Sequence, residues 1–493
     1  MYCQLETLCS CFPPSIRRAL DELPETLDET YDRTLQTIDK EKREFAHRIF
    51  QCLTVSVRPL YAEEVVEVLA IPQGTETMLG FNADWRPEDA EEAILLAGST
   101  LVSVVDIDGS KVVQFSHFTV KEYLTSSRLA ISNIVSHYYI TLQAAHTFLA
   151  RACLCVLLQL DDTIDKNRIK DFPLATYAAE HWVGHAQFEN VSSFLRDEMG
   201  SLFDMNKPHF AAWIWVHNVD WESYMPSIRP EQPEASPLYY AALCGFHDIA
   251  QQLVSTHPQD VHTRGGYRAT PLHAALDKGR VEVALFLLDH GADANARDDF
   301  DVTPLLLASR YGDAMVVRSL IVRGADPNAE NRWKRTPLLN ASQNGRLEAT
   351  RLLLEHGADT NHWDEEAWSP LERASDGGHY DIVRLLLDHG ANASEQGTDG
   401  WTPLHLASES GRADVARLLL DRGAGVNAQK ADLQTPLHRA AYLGQLQAAK
   451  VLLEHGADLH IQDKEGKTPF QVASEKGHDE FVRLLSEGAG EGT

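Results

Sequence analysis

The sequence predicts a mostly α fold: a solenoid of stacked helical units in the C-terminal half, preceded by a helical region of different construction. A Thr-Pro pair followed by an apolar residue begins at Thr270, Thr303, Thr336, Thr402, Thr435 and Thr468, with Ser369 standing for Thr, and each step is 33 residues (303 − 270 = 33). Gly279, Gly312, Gly345, Gly378, Gly411, Gly444 and Gly477 keep the same period, as do Gly291, Gly324, Gly357, Gly390, Gly423 and Gly456. Three registers sharing one period mark a single supersecondary unit stacked on copies of itself.

The period and the phrase Thr-Pro-Leu-His, at Thr270–His273, Thr402–His405 and Thr435–His438, resemble the ankyrin repeat. At 493 residues the chain is too long for one core, so at least two domains are expected. A net charge of −28 repels a phosphate backbone and argues against nucleic acid as the main partner. The seven cysteines include Cys9-Ser10-Cys11 and Cys153-Leu154-Cys155, without a second pair at zinc-site spacing. Free thiols, no metal and a cytoplasmic location are the expectations. The N-terminus lacks a basic-then-apolar leader, and the apolar window from Ala144 to Leu160 carries His146 and Arg151 and is too short to span a bilayer.

Taken in order, Leu27, Tyr31, Leu35 and Ile38 recur at helical spacing, with Pro24 in the first turn. Phe45, Ile49, Phe50 and Leu53 mark a second helix. Pro59 interrupts, Val65, Val66 and Leu69 mark a third, and 88–96 a fourth. Strands are expected at 101–105 and 112–115, joined by a turn at Asp108-Gly109. Helices followed by one hairpin make a winged helix over residues 1–130. A major-groove reader needs a basic recognition helix, and these helices carry Glu63, Glu64, Glu67, Glu88, Asp89, Glu91 and Glu92 instead.

The phrase from Phe115 through His117 to Glu122-Tyr123-Leu124 resembles the end of the winged-helix domain in NACHT-type signalling NTPases. The stretches Cys3–Leu8, Phe12–Arg17 and Leu23–Tyr31 resemble the segment following the NTPase core in fungal NACHT-ankyrin proteins, intracellular receptors of the NLR-like kind. The resemblance implies that His117 touches a nucleotide β-phosphate. A phosphate loop of the form G-x-x-x-x-G-K-[ST] is missing, however. The Gly466-Lys467-Thr468 triplet has Ile461 five positions before its Gly and falls in the repeat ladder, where it reads as a turn and a helix cap. No nucleotide is therefore expected to bind, and His117 is expected to be hydrogen-bonded within the winged-helix core.

Residues 131–234 read as a helical bridge, with helices expected at 142–160, 173–188, 191–203 and 209–219. Tyr177, Trp182, Phe188, Trp213, Trp215 and Trp221 are its core, and Pro226, Pro230 and Pro233 stiffen the connection onward. From 235 to 493 about eight units follow. In each, the Thr hydroxyl caps a helix and Pro takes its first position, glycine turns the chain, and paired apolar residues such as Leu287/Leu288 stack on neighbours. The His residues before the third-register glycines (His290, His356, His389, His455) and those of Thr-Pro-Leu-His are expected in structural roles rather than as metal ligands.

Function in such an array falls on the extended fingers before each Thr-Pro and on the exposed ends of the first helices, which line the concave side. There Tyr267, Phe300, Tyr311, Arg332, Trp333, Arg335, Trp368 and Trp401 gather on the early and middle fingers, and Glu366, Asp399, Asp432 and Glu465 follow. Trp, Tyr and Arg dominate interface energetics, so these eight are the candidate partner-binding residues, facing a partner with an apolar patch beside a basic one. The expectation is a non-enzymatic protein-interaction module binding a protein or peptide, without cofactor or membrane, as the recognition part of an NLR-like receptor. Alternatives are a truncated or split component working with a separate NTPase, or a winged-helix transcription regulator.

Overall fold

The computed structural model describes residues 26–71, 86–165, 167–217 and 235–490, so Pro24, Trp221, the Cys3–Leu8 phrase and the prolines at 226, 230 and 233 lie outside the described residues. The chain divides into two compact units, residues 1–237 with 248–253, and residues 238–247 with 254–493.

In the first unit α1 (Leu27–Thr37) starts at Thr26, whose hydroxyl accepts from the Glu29 amide. On α2 (Arg43–Val55) the buried face is Ala46, Ile49 and Phe50, and Phe45 lies outside it, 44% exposed. A short strand that the Pro59 break concealed, β1 (Leu60–Tyr61), precedes α3 (Ala62–Leu69), and α4 (Ala90–Gly98) is capped by Asp89. The hairpin of β2 (Val102–Ile107) and β3 (Ser110–Phe115) turns at Asp108 and Gly109, both at positive φ, as a two-residue turn between right-twisted strands requires. The sheet order is β1-β3-β2, all antiparallel, with Leu60 opposite Val113. α5 (Thr119–Leu124) follows.

Among the longer helices that follow in the same unit are α6 (Leu142–Leu157), α7 (Ala175–Ala186), α8 (Arg196–Leu202) and α9 (Pro208–Val216). The expected helix over 191–203 is broken in two, a one-turn helix at Val191–Phe194 meeting α8 at Leu195. α6 packs on both α7 and α2, which ties this segment to the strand-bearing region. Trp182 and Trp213, both fully buried, meet edge to face at 5.2 Å. Burial pushes the Cys52 thiol up to about 12 and that of Cys155 to about 11, so both are protonated and inert. Among the described residues no helix is long and apolar enough to cross a membrane.

The second unit is built from the repeats. Its first helices begin at Pro271, Pro304, Pro337, Pro370, Pro403, Pro436 and Pro469. The hydroxyls of Thr270, Thr303, Thr336, Ser369, Thr402 and Thr468 accept the amide three residues on. Pro at the first helical position loses no bond, so each Thr-Pro starts a helix at no backbone cost. Of each apolar pair on the second helices the first member is wholly buried (Leu287, Leu320, Leu353, Leu386, Leu419, Leu452), each contributing roughly 1.5–3 kcal/mol. The second member is less uniformly buried, Leu288 being inside and Ile321, Leu387, Leu420 and Leu453 half-buried.

The first-helix glycines serve two needs. Gly312 adopts φ +82°, and a Cβ there would sit 2.5 Å from Arg346 Cδ of the next repeat. Arg346 crosses that space to donate from Nε to the Arg310 carbonyl at 3.0 Å. At the second-helix ends, His290, His356, His389 and His455 each donate from Nδ1 to the carbonyl four residues back, at 2.8–2.9 Å.

Candidate functional site

The fingers fold by one local rule. The Asp298, Asn331, Asp364 and Asp463 carboxyl or amide oxygens each accept the backbone amides two and four residues on, and a left-handed residue such as Asp301 or Lys334 forms the tip. Successive fingers are joined by backbone bonds from Asp299 N to Tyr267 O, Arg332 N to Phe300 O, Glu365 N to Trp333 O, Ala431 N to Asp399 O and Lys464 N to Asp432 O, at 2.7–3.0 Å. The fingers so tied form a ribbon, and residues 33 apart line up along it.

Along this ribbon Tyr267, Phe300 and Trp333 come together. Their ring centroids are 5.1 and 5.7 Å apart, the second pair stacked, and Tyr267 and Trp333 are 47% and 44% exposed. The Arg332 guanidinium lies 5.5 Å from the Phe300 ring centre and donates to the Asp299 carbonyl. This is an aromatic ridge with a cation on its flank.

The other candidates stand elsewhere. Arg335 turns away to Asp364 (3.7 Å) and Glu366 (3.9 Å), and Tyr311, at the end of a first helix, donates to the Asp277 carbonyl. Trp368 is covered by Arg373 at 4.3 Å, and Trp401 by Lys430 at 5.0 Å and Arg439 at 5.1 Å. These two indoles thus pack against cations of their own chain and are half-buried. The acidic fingers differ from expectation as well: Glu366 is held by Arg373 at 2.9 Å, Asp432 by Lys430 and Glu465 by Lys467, so most of this stretch is neutralised internally rather than left for a basic partner. Among the described residues Asp399 has no ion-pair partner.

The buried histidines of the repeats are stitches. In His273, His405 and His438, Nδ1 accepts from the capping Thr hydroxyl at 2.8 Å, and Nε2 donates to Val302, Gln434 and Lys467 carbonyls of the next finger at 3.0–3.1 Å. Burial pushes the His405 imidazole down to about 4 and lowers the other two.

One repeat brings unusual residues together. Ser369 replaces Thr, Glu372 stands where other repeats have His, Leu or Gln, Glu395 stands where Ala296, Ala329 and Ala428 occur, and Gly397 stands where Asp298, Asn331 and Asp364 occur. The Ser369 hydroxyl accepts the Glu372 amide and donates to Glu395, while Glu372 accepts the Ser369 amide at 3.0 Å. A Cβ at Gly397 would lie 2.6 Å from Glu372 Oε1, so the glycine makes room for the carboxyl. Burial pushes Glu372 up to about 8 and Glu395 to about 7. Sequence reading missed this cluster, although comparing the repeats column by column shows carboxyls at 372 and 395, where the other repeats have none.

His117 is exposed rather than in the core. Its Nδ1 accepts from the Thr119 amide at 3.3 Å and meets the Thr119 hydroxyl at 2.7 Å, which also meets Tyr31. In Gly466-Lys467-Thr468, Lys467 pairs with Glu465 and Glu475 and Thr468 caps a helix, so the triplet is part of a finger.

The family described as "Ankyrin repeats (3 copies)" matches residues 215–298, 305–397 and 429–491, and the single "Ankyrin repeat" matches 399–431. The chain is 29% identical over 289 residues to "Azaphilone pigments biosynthesis cluster protein L" of Monascus ruber, an alignment covering 55% of this chain and 60% of that protein. It is 42% identical over 55 residues to "Alpha-latrocrustotoxin-Lt1a" of Latrodectus tredecimguttatus, covering 11% of this chain and 4% of the toxin. The chain therefore spans less than two thirds of either relative. By the matched segments and by the repeat geometry alike, the C-terminal half of this chain is an array of ankyrin repeats.

Proposed function

We propose that the chain is a non-enzymatic protein-interaction module whose finger face binds a protein or peptide. The observation that carries this reading is the ridge of Tyr267, Phe300 and Trp333, because exposed, pre-stacked aromatic surface lowers the ordering cost of an interface and supplies the residue types that dominate binding energy. No catalytic family is indicated by the matches. The test is affinity capture with the full chain and with Tyr267→Ala/Trp333→Ala. A partner retained by the parent and lost by the variant, at unchanged melting temperature, supports the reading; identical capture, or a melting temperature that falls while capture persists, overturns it.

For the first unit, the order helix, strand, helix, helix, hairpin and the β1-β3-β2 sheet support a winged-helix reading. On the NLR-like reading this unit couples recognition to a nucleotide-driven switch elsewhere, with exposed His117 as its contact. Calorimetry of the full chain with ADP tests the corollary that His117 alone holds no nucleotide: a saturable signal would overturn it.

A further inference from the structure

The finger ribbon is interrupted at one place among the described residues. The Thr398 amide does not make the bond to the preceding finger that Asp299, Arg332, Glu365, Ala431 and Lys464 make; its hydroxyl reaches the Glu366 carbonyl instead, at 3.2 Å. The same finger lacks the Asp or Asn of the local rule, having Gly397, and takes two left-handed residues, Asp399 and Gly400. At this gap a cleft of about 810 Å³ opens between the fingers and the ends of the first helices. That volume lies in the range of ligand pockets.

The walls of the cleft have one chemical character. Trp368 and Trp401 contribute indoles to the lining, and Arg373, Lys430 and Arg439, which sit over these rings, are not among the lining residues. Five carboxyl side chains and one guanidinium, Arg412, line the space. Glu366 and Glu409 are paired with Arg373 and Arg439, and burial favours protonated Glu372. Asp376 and Asp399 remain without an ion pair among the described residues; the Asp376 carboxyl accepts the Ser410 hydroxyl at 2.7 Å, and its carbonyl accepts from Arg412 Nε at 3.4 Å.

Resting on the reading of the array as a protein-binding surface, we propose that this cleft, lined by both indoles, receives an arginine or lysine side chain of a partner segment, held by Asp376 and Asp399. A cation beside an indole, with carboxylates at its edge, is attracted by both, and the planar guanidinium can meet a carboxylate with two parallel bonds. The site is distinct from the aromatic ridge, whose exposed rings carry a cation beside them.

The test uses the full chain and a fluorescein-labelled peptide alternating Arg and Gly, with a second peptide carrying citrulline for Arg. Binding is followed by fluorescence anisotropy for the parent, for Asp376→Asn/Asp399→Asn, and for Glu282→Gln/Glu355→Gln, which removes the same charge from second helices. The expected result is saturable binding of the Arg peptide, weakened about tenfold or more by the cleft variant, unchanged in the control variant, and absent for citrulline. Absence of saturable binding, equal loss in both variants, or equal binding of the citrulline peptide overturns the proposal. The ridge variant separates the two readings: if the Arg peptide fails while Tyr267→Ala/Trp333→Ala still loses a captured partner, the cleft assignment falls and the interaction module stands.

Discussion

Replacing Glu372 by Gln isolates the energetic consequence of placing a carboxyl where the adjoining repeats have Leu339 and His405. Burial raises the Glu372 carboxyl from an ordinary value near 4.5 to about 8, against the opposing effect of the Ser369 amide bond, and Glu395 nearby adds to the rise. Between those values the unfolded chain has released its proton and the folded chain retains it. Stability is therefore highest below about pH 4.5 and falls as pH rises to about 8. At about 1.4 kcal/mol per pH unit the gap amounts to on the order of 5 kcal/mol. A Gln side chain still offers an oxygen to the Ser369 amide but has no proton to lose. Urea melts of parent and Glu372→Gln at pH 5, 7 and 9 should show similar stability at pH 5 and a variant more stable by on the order of a few kcal/mol at pH 9. Glu395, raised to about 7, keeps part of the slope in the variant. A stability difference that does not change with pH would refute the assignment of this carboxyl as buried and neutral.

Two further predictions concern the stitches between repeats. The His405 imidazole is lowered from 6.5 to about 4 by burial, so its contribution is complete above about pH 6.5 and is lost as pH falls toward 4, on the order of 3 kcal/mol. His405→Gln, which can still donate to the Gln434 carbonyl, should flatten the acid limb of a stability–pH curve measured by circular dichroism; an unaltered limb would count against the buried-neutral assignment. Gly312→Ala meets both a left-handed backbone and the Arg346 side chain, and should lower stability by about 1–2 kcal/mol in denaturant melts, more than the same change at Gly324, where nothing lies within 4 Å of the new Cβ.

The repeats were legible because their chemistry is local. Thr-Pro fixes a helix start and a 33-residue register fixes the stacking, so caps, turns and the buried Leu ladder follow from short-range rules. The hairpin at Asp108-Gly109 was legible for the same reason. Strand β1 was not, since two residues beside a proline carry no periodicity, and only pairing with Val112 and Val113 makes them a strand. The break at Leu195 likewise depends on packing rather than on pattern. Among the candidate residues, sequence spacing brought Tyr267, Phe300 and Trp333 into one column, and the structure stacks them. Spacing says nothing about side-chain direction, which is why Arg335, Trp368 and Trp401 shared that reading while turning to partners of their own chain. The cleft was invisible because it arises from a bond that is missing, at Thr398.

That missing bond has a mechanical meaning. Fingers tied amide to carbonyl resist splaying apart, since any change of curvature must stretch every tie in the row. Where Thr398 substitutes a side-chain hydroxyl, the tie passes through a rotatable bond and yields at lower force. The stack is thus stiffer on either side of residue 398 than at it, and a segment seated in the cleft there would bear on the angle between the two halves.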